Sequence, residues 1–199
     1  MAATTTQLPP PAMSGGMTLA QALLQRRSVR AYRTDELSLA QAGQLLWAAQ
    51  GITSEDGLRT APSAGALYPL EIHLVAGTVE GLPAGVYHYA PAPHRLERLQ
   101  TADVRAALAS AAMNQSWVRD AAAVLACSAV YERTLGKYGQ RAPRYVHLEA
   151  GHAAQNVLLQ AAALGLHSVI VGAFDDPAVQ DALGLPVDCA PLCLIPIGH

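Results

Sequence analysis

Three polar side chains stand at alternate positions in the segment RRSVR, namely Arg26, Ser28 and Arg30. If this segment is extended, alternate residues project to one side, so the two guanidiniums and the hydroxyl point the same way while Arg27 and Val29 face away. Guanidinium groups bind phosphate esters and polarised carbonyls through paired N–H donors. The segment is therefore either an anion-binding site or a solvated basic turn, and the second is the commoner case for such a pattern.

Two other segments have the composition of turns that approach a ligand. Residues 62–69 read PSAGALYP, in which the prolines fix the backbone and Gly65 allows a flat ligand to come close. Residues 169–177 read VIVGAFDDP, which predicts a buried strand ending at Gly172 shortly before a helix. Backbone N–H groups at such a turn can point at a ligand, although both segments also suit ordinary connections.

The fourth feature is Lys137, the one lysine among 13 basic residues, followed by Tyr138 and a long predicted helix. Four polar residues of that helix share one stripe, which faces water or lines an internal site: Tyr145, Glu149, His152 and Asn156. Glu149 and His152 resemble half of a di-iron motif, but no second Glu-x-x-His exists. The three cysteines form no CxxC pair, so the sequence predicts no metal site and a reduced environment.

Composition limits the classes of protein to consider. The chain has 199 residues, 51% of them hydrophobic, with a net charge of −2, which favours one globular domain and argues against nucleic-acid or anionic-membrane binding. No apolar run reaches the roughly 18 residues of a membrane helix, and no secretory signal is evident, so we expect a cytoplasmic protein. The phosphate-binding motifs GxGxxG and Walker A and the hydrolase motif GxSxG are absent.

The elements that must position these motifs follow from periodicity and capping residues. We expect a flexible tail over residues 1–17 and a single domain over 18–199, opening with helices over 18–26 and 38–50 capped by Thr18 and Ser38. Leucines 19, 23 and 24 of the first helix, and Leu39, Leu45, Leu46 and Trp47 of the second, should be buried. Strands are predicted at 71–76, 86–89, 95–99, 122–130, 168–171 and 192–197, with helices around 104–108, 143–164 and 177–184. Strands and helices are mixed along the chain without a regular βαβ repeat, so the predicted fold class is α+β with helices packed on a mixed sheet.

Taken in order, the segments RRSVRAY, PSAGALYPLE, KYGQRAPRYVHLEAGHAAQN and VIVGAFDD resemble the FMN-dependent nitroreductase family. Within it they are most similar to the SagB-type branch, which includes azoline dehydrogenases that form thiazoles and oxazoles on peptides. The resemblance extends from about Thr18 to His199. It implies a three-layer sandwich with a largely antiparallel central sheet, an intertwined homodimer, and FMN at the subunit interface.

The resemblance also assigns roles to residues. It implies that Arg26, Ser28 and Arg30 hold the phosphate, ribityl and pyrimidine parts of FMN, with Arg30 near N1 and O2, and that Val171 and Gly172 present backbone amides toward N5 and O4. The turn at 62–67 would flank the ring from the partner subunit. The cofactor-binding set is Arg26, Arg27, Ser28, Arg30, Pro62, Ser63, Ala64, Gly65, Leu67, Val171 and Gly172. Lys137 and Tyr138 match the Lys-Tyr pair associated with proton removal in the azoline branch; burial of Lys137 would favour its neutral, basic form.

One departure from the family and several alternatives stay open. Many relatives carry a basic residue near the C-terminus that contacts the FMN phosphate, whereas here no lysine or arginine follows Arg144, so Arg59 or Arg141 would have to assist. Lys137 could equally form a salt bridge or bind a substrate carboxylate. The reaction could be azoline oxidation or NAD(P)H-driven reduction of nitroaromatics and quinones, with NAD(P)H as a transient reductant. A non-catalytic FMN-binding subunit of a biosynthetic complex is the third alternative.

Overall fold

The computed structural model describes residues 4–14 and 16–199. Seven strands form one sheet in the order β1-β4-β3-β2-β5-β7-β6, and all its strand pairs are antiparallel. The strands are β1 (Thr5–Gln7), β2 (Leu70–Ala76), β3 (Gly85–Ala90), β4 (Arg95–Gln100), β5 (Ala123–Val130), β6 (His167–Ser168) and β7 (Cys189–Gly198). The helices are α1 (Leu19–Gln25), α2 (Leu39–Gln50), α3 (Arg105–Ala111), α4 (Ser116–Asp120), α5 (Glu132–Tyr138), α6 (Ala142–Ala163) and α7 (Asp176–Leu183).

Two hydrophobic cores lie on opposite faces of this sheet. One joins the sheet to α2 and α6 through residues such as Leu45 and Val157, and the other joins it to α3 and α7 through residues such as Leu108 and Val179. A sheet covered on both faces gives three layers. The α+β three-layer architecture expected from the resemblance is confirmed, with parallel contacts limited to isolated bridges among the described residues.

Local sequence signals explain where the first two helices begin. Thr18 and Ser38 each accept a hydrogen bond from the backbone N–H three residues on, and the side-chain oxygens of Gln21 and Gln41 accept one from the cap residue's own N–H, so both are complete capping boxes. Side-chain burial follows the prediction only in α2, where Leu45 and Leu46 are fully buried.

The expected burial of the α1 leucines is wrong. Leu19, Leu23 and Leu24 are 67%, 55% and 72% exposed, and only Ala22 of this helix is buried. The helix packs on the chain's own core through Ala22, while the three leucine side chains lie largely outside that contact. Three neighbouring exposed leucines form an apolar surface that no part of the chain within residues 4–14 and 16–199 covers.

The N-terminal segment also differs from expectation where it is described. Thr5–Gln7 pair with β4, and Leu8 is 2% exposed, where a flexible tail was predicted. The outer edge of β4 offers unpaired backbone groups, and a threonine-rich segment satisfies them. Residues 1–3 and 15 of the predicted tail lie outside the described residues.

Helix α6 is the longest of the helices given above. Its 22 residues rise about 33 Å, enough to cross the whole sheet. It begins just after α5, which follows β5, and ends just before β6. Among the described residues, no helix is both long and apolar enough to span a bilayer.

Candidate functional site

Two of the predicted motifs meet at Gly65. This glycine has a positive φ of 65°, and a Cβ built on it would lie 2.8 Å from Lys137 Nζ and 2.9 Å from the Tyr138 hydroxyl. Any larger residue would therefore be strained in its backbone and would push against both side chains. We call Ser63, Gly65, Lys137 and Tyr138 the Gly65 cluster.

A buried polar network supports the Gly65 cluster from below. The Ser63 hydroxyl accepts a hydrogen bond from the Tyr68 backbone N–H at 2.9 Å and also bonds to the Glu149 carboxyl. Glu149 is 2% exposed and accepts a 3.4 Å hydrogen bond from Gln50 Nε2. Burial raises the pKa of Glu149 above its usual value, although Ser63, Gln50 and the charge of Arg59 act in the opposite direction. This part of the predicted polar stripe thus faces the interior.

Arg59 completes that network. It donates a 3.0 Å hydrogen bond to Gln50 Oε1, and its guanidinium lies 4.3 Å from the centre of the Tyr68 ring. Burial lowers the pKa of Arg59, while Tyr68 and the nearby carboxylates oppose the shift. These contacts hold Arg59 against Gln50 and Tyr68, next to the Gly65 cluster, and its assistance to the FMN phosphate stays a prediction.

A second set of ionic contacts fixes α5, the helix that carries Lys137. Arg133 donates to the Tyr68 carbonyl at 3.1 Å and to the Glu71 carboxylate, and His88 Nε2 lies 2.5 Å from the other Glu71 oxygen. Burial alone would raise the pKa of Glu71, but the hydrogen bonds from His88 and Arg133 outweigh it and hold that pKa at about 2. Sequence reasoning missed these three residues. The available signal was that Arg133 lies one helical turn before Lys137, on the same face.

The predicted anion-binding segment lies elsewhere, beside β6. The backbone of Ser28 forms an isolated parallel β-bridge with Ser168, and the Val29 N–H donates to the Ser168 carbonyl at 3.1 Å. Arg26 and Arg27 line an adjoining cleft of about 250 Å³, whose lining does not include Ser28 or Arg30. The alternation of residues predicted that Arg26, Ser28 and Arg30 project to one site, but of these three only Arg26 lines this cleft.

The arginines of this segment differ in how they are engaged. Arg27 donates to the carbonyls of Leu24 and Arg26, at 3.0 and 2.8 Å, and so caps the end of α1. The Arg30 guanidinium lies 5.5 Å from the Trp117 ring centre. Across the described ranges, the guanidiniums of Arg26 and Arg30 have no carboxylate partner. Their charges are available to an anion.

The third predicted segment borders a larger cavity of about 480 Å³, which we call the Gly172 cavity. Its lining comprises Tyr131, His147, Ala150, Gly151, Ile170, Gly172, Phe174, Asp176, Ala190, Pro191, Leu192 and Cys193. The Val171 N–H donates to the Leu194 carbonyl at 2.8 Å, so the expectation that this amide faces a ligand is wrong. The N–H groups of Gly172 and Ala173 have no acceptor within the described part of the chain. Ala173 was missed because the sequence did not show that the Val171 N–H pairs with Leu194, which leaves the next two N–H groups unpaired among the described residues.

The remaining predicted site residues lie beside these features and do not line one shared cavity. Pro62 is exposed, and Ala64 and Leu67 are half-buried at the turn beside Gly65. Lys137 is exposed, so the burial expected for it is not found in the single chain. The described residues contain no group of three or more metal-ligating side chains.

Comparison with known proteins gives the family context for this geometry. Residues 23–199 match the nitroreductase family. A Methanocaldococcus jannaschii protein with a provisional nitroreductase name is 46% identical over 181 residues, covering 91% of this chain and 90% of that protein. A crystal structure of a Ralstonia eutropha protein, also provisionally named a nitroreductase, is 30% identical with a TM-score of 0.86, covering 98% of this chain and 89% of that one.

A third relative has a more specific name. The Escherichia coli microcin B17-processing protein McbC is 32% identical over 133 residues, which is 64% of this chain and 48% of that protein. A chain of the E. coli microcin synthetase McbBCD complex superposes with a TM-score of 0.76 at 26% identity, covering 98% of this chain and 77% of that one. The match over 23–199 and the archaeal relative are decisive: this chain belongs to the nitroreductase family, a family of oxidoreductases.

Proposed function

We propose that this chain is an FMN-dependent oxidoreductase of the SagB type, active as a homodimer, that oxidises an azoline ring on a small organic or peptidic substrate. The observation that carries the proposal is the Gly65 cluster, which holds an amine and a phenol together against one glycine turn. The likeness to a microcin-processing protein supports the same substrate class, although this chain spans about half of that protein's length.

The residues of the chain suit FMN at both of its ends. Arg26 and Arg30 carry charges without carboxylate partners in the described ranges, as a phosphate and an electron-rich ring edge require. Gly172 lines a cavity of about 480 Å³, and its N–H group and that of the neighbouring Ala173, which have no acceptor among the described residues, can donate to ring heteroatoms. The exposed leucines of α1 and Leu148 of α6, which is 54% exposed, provide apolar surface for a second copy.

When bound, FMN supplies a two-electron acceptor for a hydride. Conversion of an azoline to an azole removes one ring hydrogen as that hydride and a neighbouring one as a proton, and a C=C bond forms between the two carbons. Lys137 takes the proton, while the Tyr138 hydroxyl, against the same glycine, orients the substrate ring. Molecular oxygen or another oxidant removes the two electrons afterwards.

One observation favours a second function. The archaeal relative matches over 90% of its own length at 46% identity and bears a nitroreductase name, so reduction of nitroaromatics or quinones by NAD(P)H is the competing reaction. That reaction needs no protein base, since solvent supplies the protons, and Lys137 would then be dispensable.

Anaerobic spectroscopy separates the two functions. We expect the purified protein to bind added FMN and the bound flavin to lose its absorbance on addition of a 2-aryl thiazoline. Lys137→Ala should abolish this bleaching but keep the flavin bound, whereas Arg144→Ala, a neighbouring exposed cation, should leave it intact. Bleaching by NADPH alone would establish the reductase instead, and failure to bind FMN would favour a non-catalytic subunit.

A further inference from the structure

Strands β2 and β3 separate at one end of their pairing. Their register begins at His73 opposite His88, so residues 70–72 of β2 have partners on β5 and, within the described chain, none on β3. Beyond His88, strand β3 stays in register with β4. The two strands therefore form a fork, which holds a cavity of about 290 Å³. We call it the fork cavity, and its lining includes Arg59, Leu70, Ile72, Tyr89, Ala92 and Arg133.

The backbone of β2 directs hydrogen-bonding groups into this fork. The Val130 N–H donates to the Pro69 carbonyl at 2.9 Å, so the odd-numbered residues along β2 are the ones that bond to β5. Alternate residues of an antiparallel strand turn their N–H and C=O groups to opposite neighbours. The groups of Leu70 and Ile72 therefore point toward β3, at the place where the pairing with β3 stops. An open strand edge of this kind can pair with an added extended segment.

The fork cavity carries more positive than negative charge. Arg59 and Arg133 line it together with one carboxylate, that of Glu71. Arg133 and His88 already bond to Glu71. Among the described residues, Arg59 has no carboxylate partner, and its side chain donates a single hydrogen bond, to Gln50 Oε1. Burial lowers the pKa of this guanidinium, because its charge loses water without gaining a counter-ion in contact. A carboxylate entering the cavity would supply that counter-ion.

The fork cavity adjoins the Gly65 cluster through Tyr68 and α5. The centre of the Tyr68 ring lies 4.3 Å from the Arg59 guanidinium, and the Tyr68 backbone N–H donates to the Ser63 hydroxyl. Arg133 and Lys137 are one turn apart on α5, which is a rise of about 6 Å. An extended chain advances about 3.3 Å per residue, so about two residues span this distance.

We propose that the fork cavity binds an acidic residue of an extended peptide substrate, about two residues from the ring that reacts. The backbone of this segment pairs with Leu70 and Ile72 as an added strand, and its carboxylate bonds to Arg59. The volume of the cavity is close to the lower limit of about 300 Å³ for small-ligand sites, so a short stretch of chain fits and a folded partner does not. The inference rests on the proposed function for the identity of the peptide as substrate, whereas the binding needs no turnover.

Fluorescence anisotropy measures this binding directly. The probe is a fluorescein-labelled pentapeptide with blocked ends, Gly-Val-Glu-Val-Gly, and a second probe has Gln in place of Glu. Ala92→Trp puts a large side chain into the cavity from an exposed turn and should weaken binding of the Glu peptide about 10-fold or more. Ala102→Trp, at an exposed position beyond the end of β4, is the matched control and should bind like the wild type. Equal affinity of the Ala92→Trp protein, or no binding to the wild type at about 1 mM peptide, would overturn the proposal.

A double-mutant cycle tests the carboxylate contact. Arg59→Gln should weaken binding of the Glu peptide about 10-fold or more and leave binding of the Gln peptide nearly unchanged, because one charge-assisted hydrogen bond is lost. Arg95→Gln is the control, since Arg95 pairs with Glu97 on β4 and lies outside the cavity lining. Equal losses for the two peptides would show that Arg59 acts only on the fold, and the carboxylate contact would be rejected.

A methylated peptide tests the added strand. The Glu peptide N-methylated at its three central residues keeps the carboxylate but has no N–H groups there to pair with β2, so it should bind about 10-fold more weakly or worse. Unchanged affinity would reject the strand pairing. A wild-type protein that binds the Glu peptide but whose flavin is never bleached by a 2-aryl thiazoline would contradict the proposed function and leave the peptide site in place.

Discussion

Helix α6 has a Gly65 flank, where Tyr145 and Glu149 contact Tyr138 and Ser63, and a Gly172 flank, where His147 and Gly151 line the Gly172 cavity. The two flanks are built in opposite ways. On the Gly65 flank, polar side chains are engaged by the chain itself: Glu149 by Gln50 and Ser63, and Glu71 by His88 and Arg133. On the Gly172 flank and in the cleft beside β6, backbone N–H groups and guanidiniums lack such partners within the described residues. Satisfied groups fix a geometry, whereas unsatisfied donors at a surface are ready to receive a ligand.

This difference predicts different consequences of mutation. Substitutions on the Gly65 flank should lower the free energy of unfolding, because they leave buried partners unpaired. Substitutions among the free arginines should weaken ligand binding and leave stability nearly unchanged. The four predictions below test this contrast.

The largest effect is expected from Arg26→Ala combined with Arg30→Ala. Each lost charge-assisted hydrogen bond is worth about 1.5–3 kcal/mol, so FMN should bind at least about 100-fold more weakly in a fluorescence titration. The free energy of unfolding should change by no more than about 0.5 kcal/mol. Arg33→Ala is the matched control, since this nearby arginine already pairs with Asp35 at 2.7 Å. Unchanged FMN affinity in the double variant would remove these arginines from the site.

Glu71→Gln should give the largest loss of stability. A carboxyl whose pKa falls from 4.5 to about 2 on folding stabilises the folded state by about 3 kcal/mol at neutral pH. Because the folded pKa lies below the unfolded one, this stabilisation is present above about pH 4.5 and is lost as the pH falls toward 2. Denaturant unfolding across this pH range should show the loss in the wild type and a flatter profile in the variant.

Glu97→Gln provides the comparison for Glu71. Glu97 lies on the neighbouring strand β4 and pairs with Arg95 at 2.7 Å, but both side chains are about a third exposed or more. Exposed pairs contribute about 1 kcal/mol or less. Equal losses of unfolding free energy in the two variants would show that the contacts of Glu71 with His88 and Arg133 stabilise the fold no more than an exposed ion pair does.

Gly65→Ala should have an intermediate effect, and it should lower both the stability of the fold and the reaction with a thiazoline. A left-handed backbone costs alanine about 1–2 kcal/mol, and the added methyl group would displace the Lys137 amine and the Tyr138 hydroxyl. We expect lower stability by that amount and reduced bleaching by a thiazoline. Gly81→Ala is the control, because it also has a positive φ, of 69°, but has open space around it. Equal effects of both substitutions on bleaching would show that backbone strain alone is responsible.

Local sequence patterns were sufficient for much of the fold. The caps at Thr18 and Ser38, and the helix predicted at 143–164, agree closely with the structure because capping and helical periodicity depend on residues within a few positions. The α1 leucines were misplaced because periodicity identifies an apolar face without identifying what covers it. Helix α5 was not predicted, since its start at Tyr131 has no side-chain cap.

The candidate site was predictable as residue types but not as contacts. Gly65 and Lys137 were each identified from local composition, yet their contact joins segments separated by β2 to β5 and depends on the register of the sheet. The prediction that the Val171 N–H faces a ligand failed for the same reason, because the hydrogen bond from this N–H to Leu194 joins distant parts of the chain. A one-residue difference in where a strand ends decides which N–H groups remain free.

The smallest effect is expected at Glu149, where a conservative pair of variants isolates charge from hydrogen bonding. Burial raises the pKa of this carboxyl, so its stabilising contribution is fully present below its unfolded pKa and is lost as the pH rises through the folded value. Glutamine imitates the protonated form and keeps an acceptor for Gln50 and Ser63, so Glu149→Gln should unfold within about 1 kcal/mol of the wild type at pH 7, or above it. Glu149→Ala removes the acceptor as well and should lose about 1–3 kcal/mol. If instead the glutamine variant loses as much stability as the alanine variant, the ionised carboxylate beside Arg59 is what holds the Gly65 flank, and that flank is organised by charge rather than by satisfied hydrogen bonds.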